Sequence, residues 1–244
     1  MKIYTALQRG DYHLQHCEDY LFTGEIGNGR TVCAVMDGCT MAEDSYFAST
    51  LTGKIIRKIS RIRNYQHFNH SIENISPEEE LKGIMRFLFA ELNQYRNSLL
   101  LDKKELLTTI LVLVLDPHTK QGAYIVIGDG LVNIDDNIND FDQDNKPDYI
   151  GYHLHEEFET WYAGHTQKSG FQFKEQISIA SDGIHSFLPV IPGMPSDKTD
   201  PFHYLLFGKE FNEEADMFER KLKKLEHQYG LKPIDDFSII QIHT

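Results

Sequence analysis

The sequence predicts an α+β fold, a sandwich in which sheet packs on sheet with helices outside. Three observations carry that expectation. Apolar runs of strand length recur from the first residues to the last. Two long amphipathic helical patterns lie in the first half, and one more lies near the end. Two neighbouring strand runs are joined by a hairpin-like connection.

Residues 1–14 alternate like a strand and lack the apolar core of a signal peptide. Thr31 to Met36 is an apolar run that ends at Asp37-Gly38, a strand followed by a turn. Phe47, Ala48, Leu51, Ile55, Ile59 and Ile62 recur at helical spacing, which predicts a helix over residues 43–63. Lys54, Arg57, Lys58, Arg61 and Arg63 lie off that apolar stripe, as a solvated face or a docking surface for an acidic partner. A second helix starts at Ser76-Pro77-Glu78-Glu79: Ser76 is the N-cap, Pro77 fits the first turn and Glu79 closes a capping box. Leu81, Ile84, Met85, Leu88, Phe89, Leu92 and Tyr95 form its apolar stripe.

Two strands follow, Leu107 to Leu115 and Ala123 to Ile127, with Asp116 to Gly122 as their connection. Residues 135–148 are acidic, amide-rich and poor in apolar groups, and read as a solvated insertion. A strand over Gln176 to Ala180 ends at Ser181-Asp182-Gly183. A third helix is expected over residues 210–228 with Gly230 as its stop, and Phe237 to Ile242 is the last strand. No linker or repeat divides the chain, so residues 1–244 are expected to form one domain.

The net charge is −13, from 24 basic and 37 acidic residues. That balance argues against non-specific binding to nucleic acid, whose affinity comes largely from neutralised phosphates. It also argues against adhesion to an anionic membrane. The best apolar run, Ile110 to Leu115, is strand-sized, so no membrane span is expected. Cys17, Cys33 and Cys39 make neither a disulfide framework nor a zinc pair. A cytoplasmic location with reduced thiols is the expectation.

The informative pattern is a set of acids at strand ends, far apart in sequence. Glu18-Asp19 precedes Tyr20-Leu21-Phe22, Asp37 follows one strand, and Asp129 sits in Gly128-Asp129-Gly130 after another. Asp182 follows a third strand, and Asp235-Asp236 precedes the last. Any one Asp-Gly pair is also an ordinary tight turn. Several carboxylates brought together would repel, which raises their pKa values when empty and suits a hard divalent cation. All-oxygen ligands select Mg²⁺ or Mn²⁺ over Zn²⁺.

In this order the motifs resemble those of the metal-dependent protein phosphatases of the PP2C (PPM) type, in a divergent branch like the bacterial ones. The resembling residues are Glu18-Asp19, Ala34-Val35-Met36-Asp37-Gly38, Thr108-Thr109, Ile127-Gly128-Asp129-Gly130, Ala180-Ser181-Asp182-Gly183-Ile184 and Asp235-Asp236-Phe237-Ser238-Ile239-Ile240. The resemblance implies a four-layer αββα sandwich, two antiparallel sheets flanked by helices, with a dinuclear metal site at one end. It implies that Asp37 bridges two Mg²⁺ or Mn²⁺ ions, that Asp182 and Asp235 complete the first, and that the Gly38 carbonyl binds the second. Glu18 and Asp19 would hold metal-bound waters, and Asp129 would serve a third, weaker ion. The implied activity is hydrolysis of phosphoserine or phosphothreonine in a protein by a hydroxide held between two cations, in opposition to a Ser/Thr kinase.

Three positions depart from the family pattern. Cys39 stands where His often follows Asp-Gly as general acid. Ser186 stands where Asp often follows the Ser-Asp-Gly aspartate by four residues. His13 and Arg9 lie where an Arg often grips substrate phosphate. His185 is the candidate replacement proton donor, and His13 the candidate phosphate contact. These departures keep open a catalytically weak or inactive member of the fold that binds a partner, and a phosphatase for a small metabolite is a third reading. Asp140, Asp142 and Asp144 alternate like the start of a calcium loop, but Asn145 and Gly151 stand where Gly and Glu are required. His153 and His155 read as exposed strand histidines, and Trp161-Tyr162 as core packing. No nucleophile elbow, phosphate-binding loop or dinucleotide fingerprint is present.

Overall fold

A computed structural model describes residues 1–69, 75–143, 146–190 and 193–244. Strands β1 (Lys2–Gln8), β2 (Tyr20–Gly27) and β3 (Arg30–Met36) precede two long helices, α1 (Phe47–Asn69) and α2 (Pro77–Leu99). Four strands follow: β4 (Ile110–Asp116), β5 (Gln121–Ile127), β6 (Gly130–Ile134) and β7 (Asn137–Phe141). Short helices α3 (Ile150–His153) and α4 (Phe158–Gly164) lead into β8 (Lys168–Gln172) and β9 (Gln176–Ala180). The chain closes with β10 (Phe187–Pro189), α5 (Pro201–Phe207), α6 (Met217–Tyr229), β11 (Leu231–Pro233) and β12 (Phe237–His243).

The long strands form two antiparallel sheets, ordered β1-β12-β9-β6-β7 and β2-β3-β4-β5-β8. Alternation along the strands sets the layers. Cys33, Val35, Leu111 and Leu113 of one sheet meet Val132, Ile179, Ile240 and Ile242 of the other in a shared core. The opposite faces of β3 and β4, through Val32, Ala34, Met36 and Val112, pack under α1 and α2. Leu131 and Ile239 pack under α5 and α6 with Leu205, Phe218 and Leu225. Helix, sheet, sheet, helix is the αββα order, and central strands buried on both faces explain why β3 and β4 read as unbroken apolar runs.

Local chemistry sets the boundaries. The Ser76 hydroxyl accepts from the Glu79 N–H at 3.2 Å while the Ser76 N–H donates to the Glu79 carboxylate at 3.1 Å, the expected capping box. Gly230 ends α6 with a φ of 67°. Helix α1 is shifted relative to its expected span, starting at Phe47 and continuing to Asn69. The expected helix over 210–228 begins only at Met217, and α5 before it has too few turns to show a period.

The expected solvated insertion over 135–148 is corrected. Residues Asn137–Phe141 pair with β6 around a turn at Asp135-Asp136, both with positive φ. This edge strand is largely exposed, so nothing in its composition needed to be apolar. Asp140 of the calcium-like series lies on that strand, while Asp144 and Asn145 lie outside the described residues. His153 lies on a short helix rather than a strand, with Asp148 at 2.7 Å and Glu156 at 2.5 Å from its two ring nitrogens. Among the described residues no helix is long and apolar enough to cross a membrane.

Candidate active site

Strand direction gathers the acids. β3 runs toward Asp37, β9 toward Asp182 and β5 toward Asp129, while β2 leaves from Asp19 and β12 from Asp236. Because each pair is antiparallel, all these termini fall at one end of the sandwich. Asp37 feels the charges of Asp19, Asp182 and Asp235. Asp182 in turn feels Asp129, Asp235 and Asp19. Residues from the second strand to the last thus share one small volume.

The electrostatics are those of buried carboxylates crowded together. Burial, reinforced by Asp19, Asp182 and Asp235, holds the Asp37 carboxyl well above the usual range. Burial raises Asp19 to about 6, against the hydrogen bond from the Ser181 hydroxyl that favours its anion. Burial and the charges of Asp129, Asp235 and Asp19 raise Asp182 to about 7. Asp129 is raised to about 6 by burial first, then by Asp142 and Asp235. Asp37, Asp182 and Asp235 keep part of their surface open, whereas Asp19, Asp129 and Asp236 are buried.

A buried framework holds these carboxylates. Asp236, 1% exposed, accepts from the Gly10 N–H at 2.7 Å and from the Glu18 N–H, and pairs with His13 Nδ1 at 2.8 Å. His13 Nε2 lies 3.5 Å from Asp235. Burial opposes protonation of His13, but the bond to Asp236 and the charges of Asp236, Glu18 and Asp235 prevail and raise its pKa. The Ser181 hydroxyl donates to Asp19 Oδ2 at 2.6 Å and accepts from the Ser238 N–H at 2.9 Å. Thr109 N–H and the Thr108 hydroxyl both donate to the Asp37 carbonyl, at 2.9 and 2.6 Å. The small-hydroxyl strand start therefore fixes the end of β3.

The remaining candidates are placed as follows. The Gly38 N–H donates to the Glu18 carbonyl at 3.1 Å, and the Glu18 carboxylate accepts from the Thr40 hydroxyl at 3.0 Å. The hydroxyl of Ser186 accepts from the Asp235 N–H at 3.3 Å and donates to the Gly183 carbonyl at 2.8 Å, tying two acidic loops together. His185 points elsewhere: it pairs with Asp140 at 3.0 Å and stacks on Phe202 at 4.8 Å. Cys39 is buried beside Leu107 and Tyr149. Asp236 and Ser181 stand inside the sequence motifs but were given no role there, and Tyr149 was not singled out. The doublet Asp235-Asp236 and the motif serine were visible signals for two of them; Tyr149 ends a biased segment and had none.

Among the described residues, no group of three or more His, Cys, Asp or Glu side chains is already arranged to hold a metal ion. The donors still fit a hard cation. All are oxygens, and Asp19 Oδ1 is buried with no hydrogen-bond partner.

A sandwich of this order, with acids converging at one end, defines the class of protein that the motifs indicated. The family model described as "Protein phosphatase 2C" matches residues 9–225, and the chain belongs to that family. No curated protein matches the chain. Its fold is similar to a bacterial serine phosphatase (TM-score 0.62, 13% identity, covering 100% of this chain and 97% of that one). It is similar also to the serine/threonine phosphatase of S. agalactiae (0.60, 12%, 98% and 98%). A third likeness is to the serine/threonine phosphatase Stp1 from Staphylococcus aureus (0.60, 12%, 99% and 94%).

Proposed function

We propose that the chain is a Mg²⁺- or Mn²⁺-dependent phosphatase acting on phosphoserine or phosphothreonine in proteins. The observation that carries this reading is the convergence of Asp19, Asp37, Asp182 and Asp235 at one end of the sandwich. Asp37, Asp182 and Asp235 would hold the first ion, and Asp37 with the Gly38 carbonyl the second. Glu18 and Asp19 would orient coordinated water, and Asp129 would serve a weaker third ion. Two bound cations supply charge neutralisation for a phosphate and an acidified water.

The chain's own residues set up that chemistry. Ser181 holds Asp19 as an acceptor, and Thr108 and Thr109 hold the Asp37 backbone. His13, paired with Asp236 at 2.8 Å, stands at the cluster as a contact for substrate phosphate. His185 is committed to Asp140, which weakens its candidacy as proton donor. Residues 1–244 act as one domain in this reading. The three cysteines are free thiols, consistent with a cytoplasmic setting opposite a Ser/Thr kinase.

Turnover of p-nitrophenyl phosphate and of phosphopeptides with Mn²⁺ against EDTA tests the proposal. Asp37→Ala and Asp182→Ala should each abolish turnover while the fold persists. The second reading, a partner-binding member without catalysis, is favoured by one observation: Cys39 is buried against Tyr149 where a proton donor is expected. Absence of metal-dependent turnover on several phosphopeptides would select it.

A further inference from the structure

Helix α1 carries Lys54, Arg57, Lys58, Arg61 and Arg63 and not one Asp or Glu over its 23 residues, in a chain of net charge −13. The cations divide into two rows. Lys58 and Arg63 turn toward α2 and pair with Glu91 at 2.7 Å and Glu80 at 3.3 Å. Lys54, Arg57 and Arg61 follow i, i+3, i+7 spacing, which puts them on one face. None of the three has a carboxylate partner among the described residues.

Arg57 and Arg61 line a groove of about 620 Å³ between α1 and β2. Its other wall is Leu21 to Glu25 of β2, and Glu25 is its single acid. β2 is the outer strand of its sheet and has no strand partner on its free side among the described residues. Arg57 is anchored there, donating to the Tyr20 hydroxyl at 2.7 Å and lying over the Phe22 ring. Ser60 donates to the Glu25 carbonyl at 2.7 Å. The Leu21 end of the groove lies two residues along β2 from Asp19, and the Ser49 hydroxyl near the start of α1 donates to the Glu18 carbonyl.

We propose that this groove docks an extended, acidic segment of the phosphoprotein substrate. The proposal rests on the phosphatase reading for the placement of the phosphorylated residue at the acidic cluster. At about 3.3 Å per residue, a segment alongside Leu21 to Glu25 lies roughly two to six residues from that point. Its carboxylates face Lys54 and Arg61, and its backbone meets the free edge of β2. The rest of the surface is net negative, so an acidic segment is favoured here and repelled elsewhere.

The test uses phosphothreonine peptides with three Asp or Glu residues placed two to six positions away, on either side, against peptides with Ala there. Both kcat and KM are read, with p-nitrophenyl phosphate as the small control substrate. One acidic peptide should show a KM about 5- to 20-fold below its neutral counterpart at low salt, as two to three exposed charge pairs supply. Lys54→Glu with Arg61→Glu should erase that difference and leave turnover of p-nitrophenyl phosphate unchanged. Fluorescence anisotropy of the labelled acidic peptide reads docking without turnover and should show the same loss. Equal KM and equal binding for acidic and neutral peptides overturn the proposal, as does a preference that survives the double variant. Absence of p-nitrophenyl phosphate turnover strikes the phosphatase reading instead, and anisotropy then decides the docking by itself.

Discussion

The carboxyl group of Asp37, at the end of β3, lies within the field of the buried Asp19 carboxylate at the start of β2. Two acids so placed need either a proton or a cation between them.

That arrangement predicts an inverted pH dependence of stability. Asp19, Asp129 and Asp182 have folded-state pKa values raised to about 6, 6 and 7, above the ordinary 3.8 that the unfolded chain shows. Below about pH 4 both states are protonated and the fold carries no penalty. As pH rises toward 7 the unfolded chain ionises first, so these groups progressively destabilise the metal-free fold. The melting temperature of the EDTA-treated protein should fall between about pH 4 and 7, and the increment gained from Mn²⁺ should grow over the same range. Asp182→Asn should raise the metal-free melting temperature at pH 8 by about 2–4 °C and remove the Mn²⁺ increment. Differential scanning fluorimetry reads both.

Asp236 is the anchor of the amino-terminal loop. Its carboxylate holds the Gly10 and Glu18 N–H groups and His13. Asp236→Ala leaves those donors unpaired in a buried site and should cost about 2–4 kcal/mol in urea denaturation. Activity should fall with it, because Glu18 and Asp19 lose their fixed position.

Two glycines let the acidic loops meet. A Cβ on Gly183 would stand 1.8 Å from the Asp236 carbonyl oxygen, and one on Gly38 would stand 2.0 Å from that of Ser45. Both obstacles are backbone, which has no rotamer to yield. Gly183→Ala and Gly38→Ala should each destabilise by about 2 kcal/mol or more. Each should lower Mn²⁺ affinity in calorimetric titration by displacing Asp182 or Asp37.

Lys221 tests the opposite layer. It is fully buried on α6, its ammonium 3.4 Å from the Leu205 carbonyl and near the Tyr204 and Phe218 rings. Burial lowers its pKa from 10.5 to about 8. Between pH 8 and 10.5 the unfolded chain holds the extra proton, so stability from this residue rises with pH. Lys221→Met should therefore raise the melting temperature by about 2–6 °C at pH 7, with the gain shrinking toward pH 10.

Much of this molecule was legible in the sequence because local chemistry and tertiary structure agree. The Ser76 capping box, the apolar runs of β3 and β4 and the Gly230 stop all stand where residue type alone put them. The acids at strand ends were legible as well, since a strand followed by Asp-Gly marks its own terminus. What failed was burial-blind. β7 is a strand held by backbone pairing with little apolar face, so its composition spoke for a loop. α5 is too short for a helical period, and β10 and β11 are three residues each. The anchoring role of Asp236 depends on Gly10 and His13, more than two hundred residues away, and no local pattern encodes that distance.

The most direct test of the central claim is anomalous diffraction from a crystal soaked in Mn²⁺. Peaks bounded by the carboxylates of Asp37, Asp182 and Asp235 are the predicted result. Manganese bound only elsewhere, or no peak at that cluster with the site open to solvent, would contradict it.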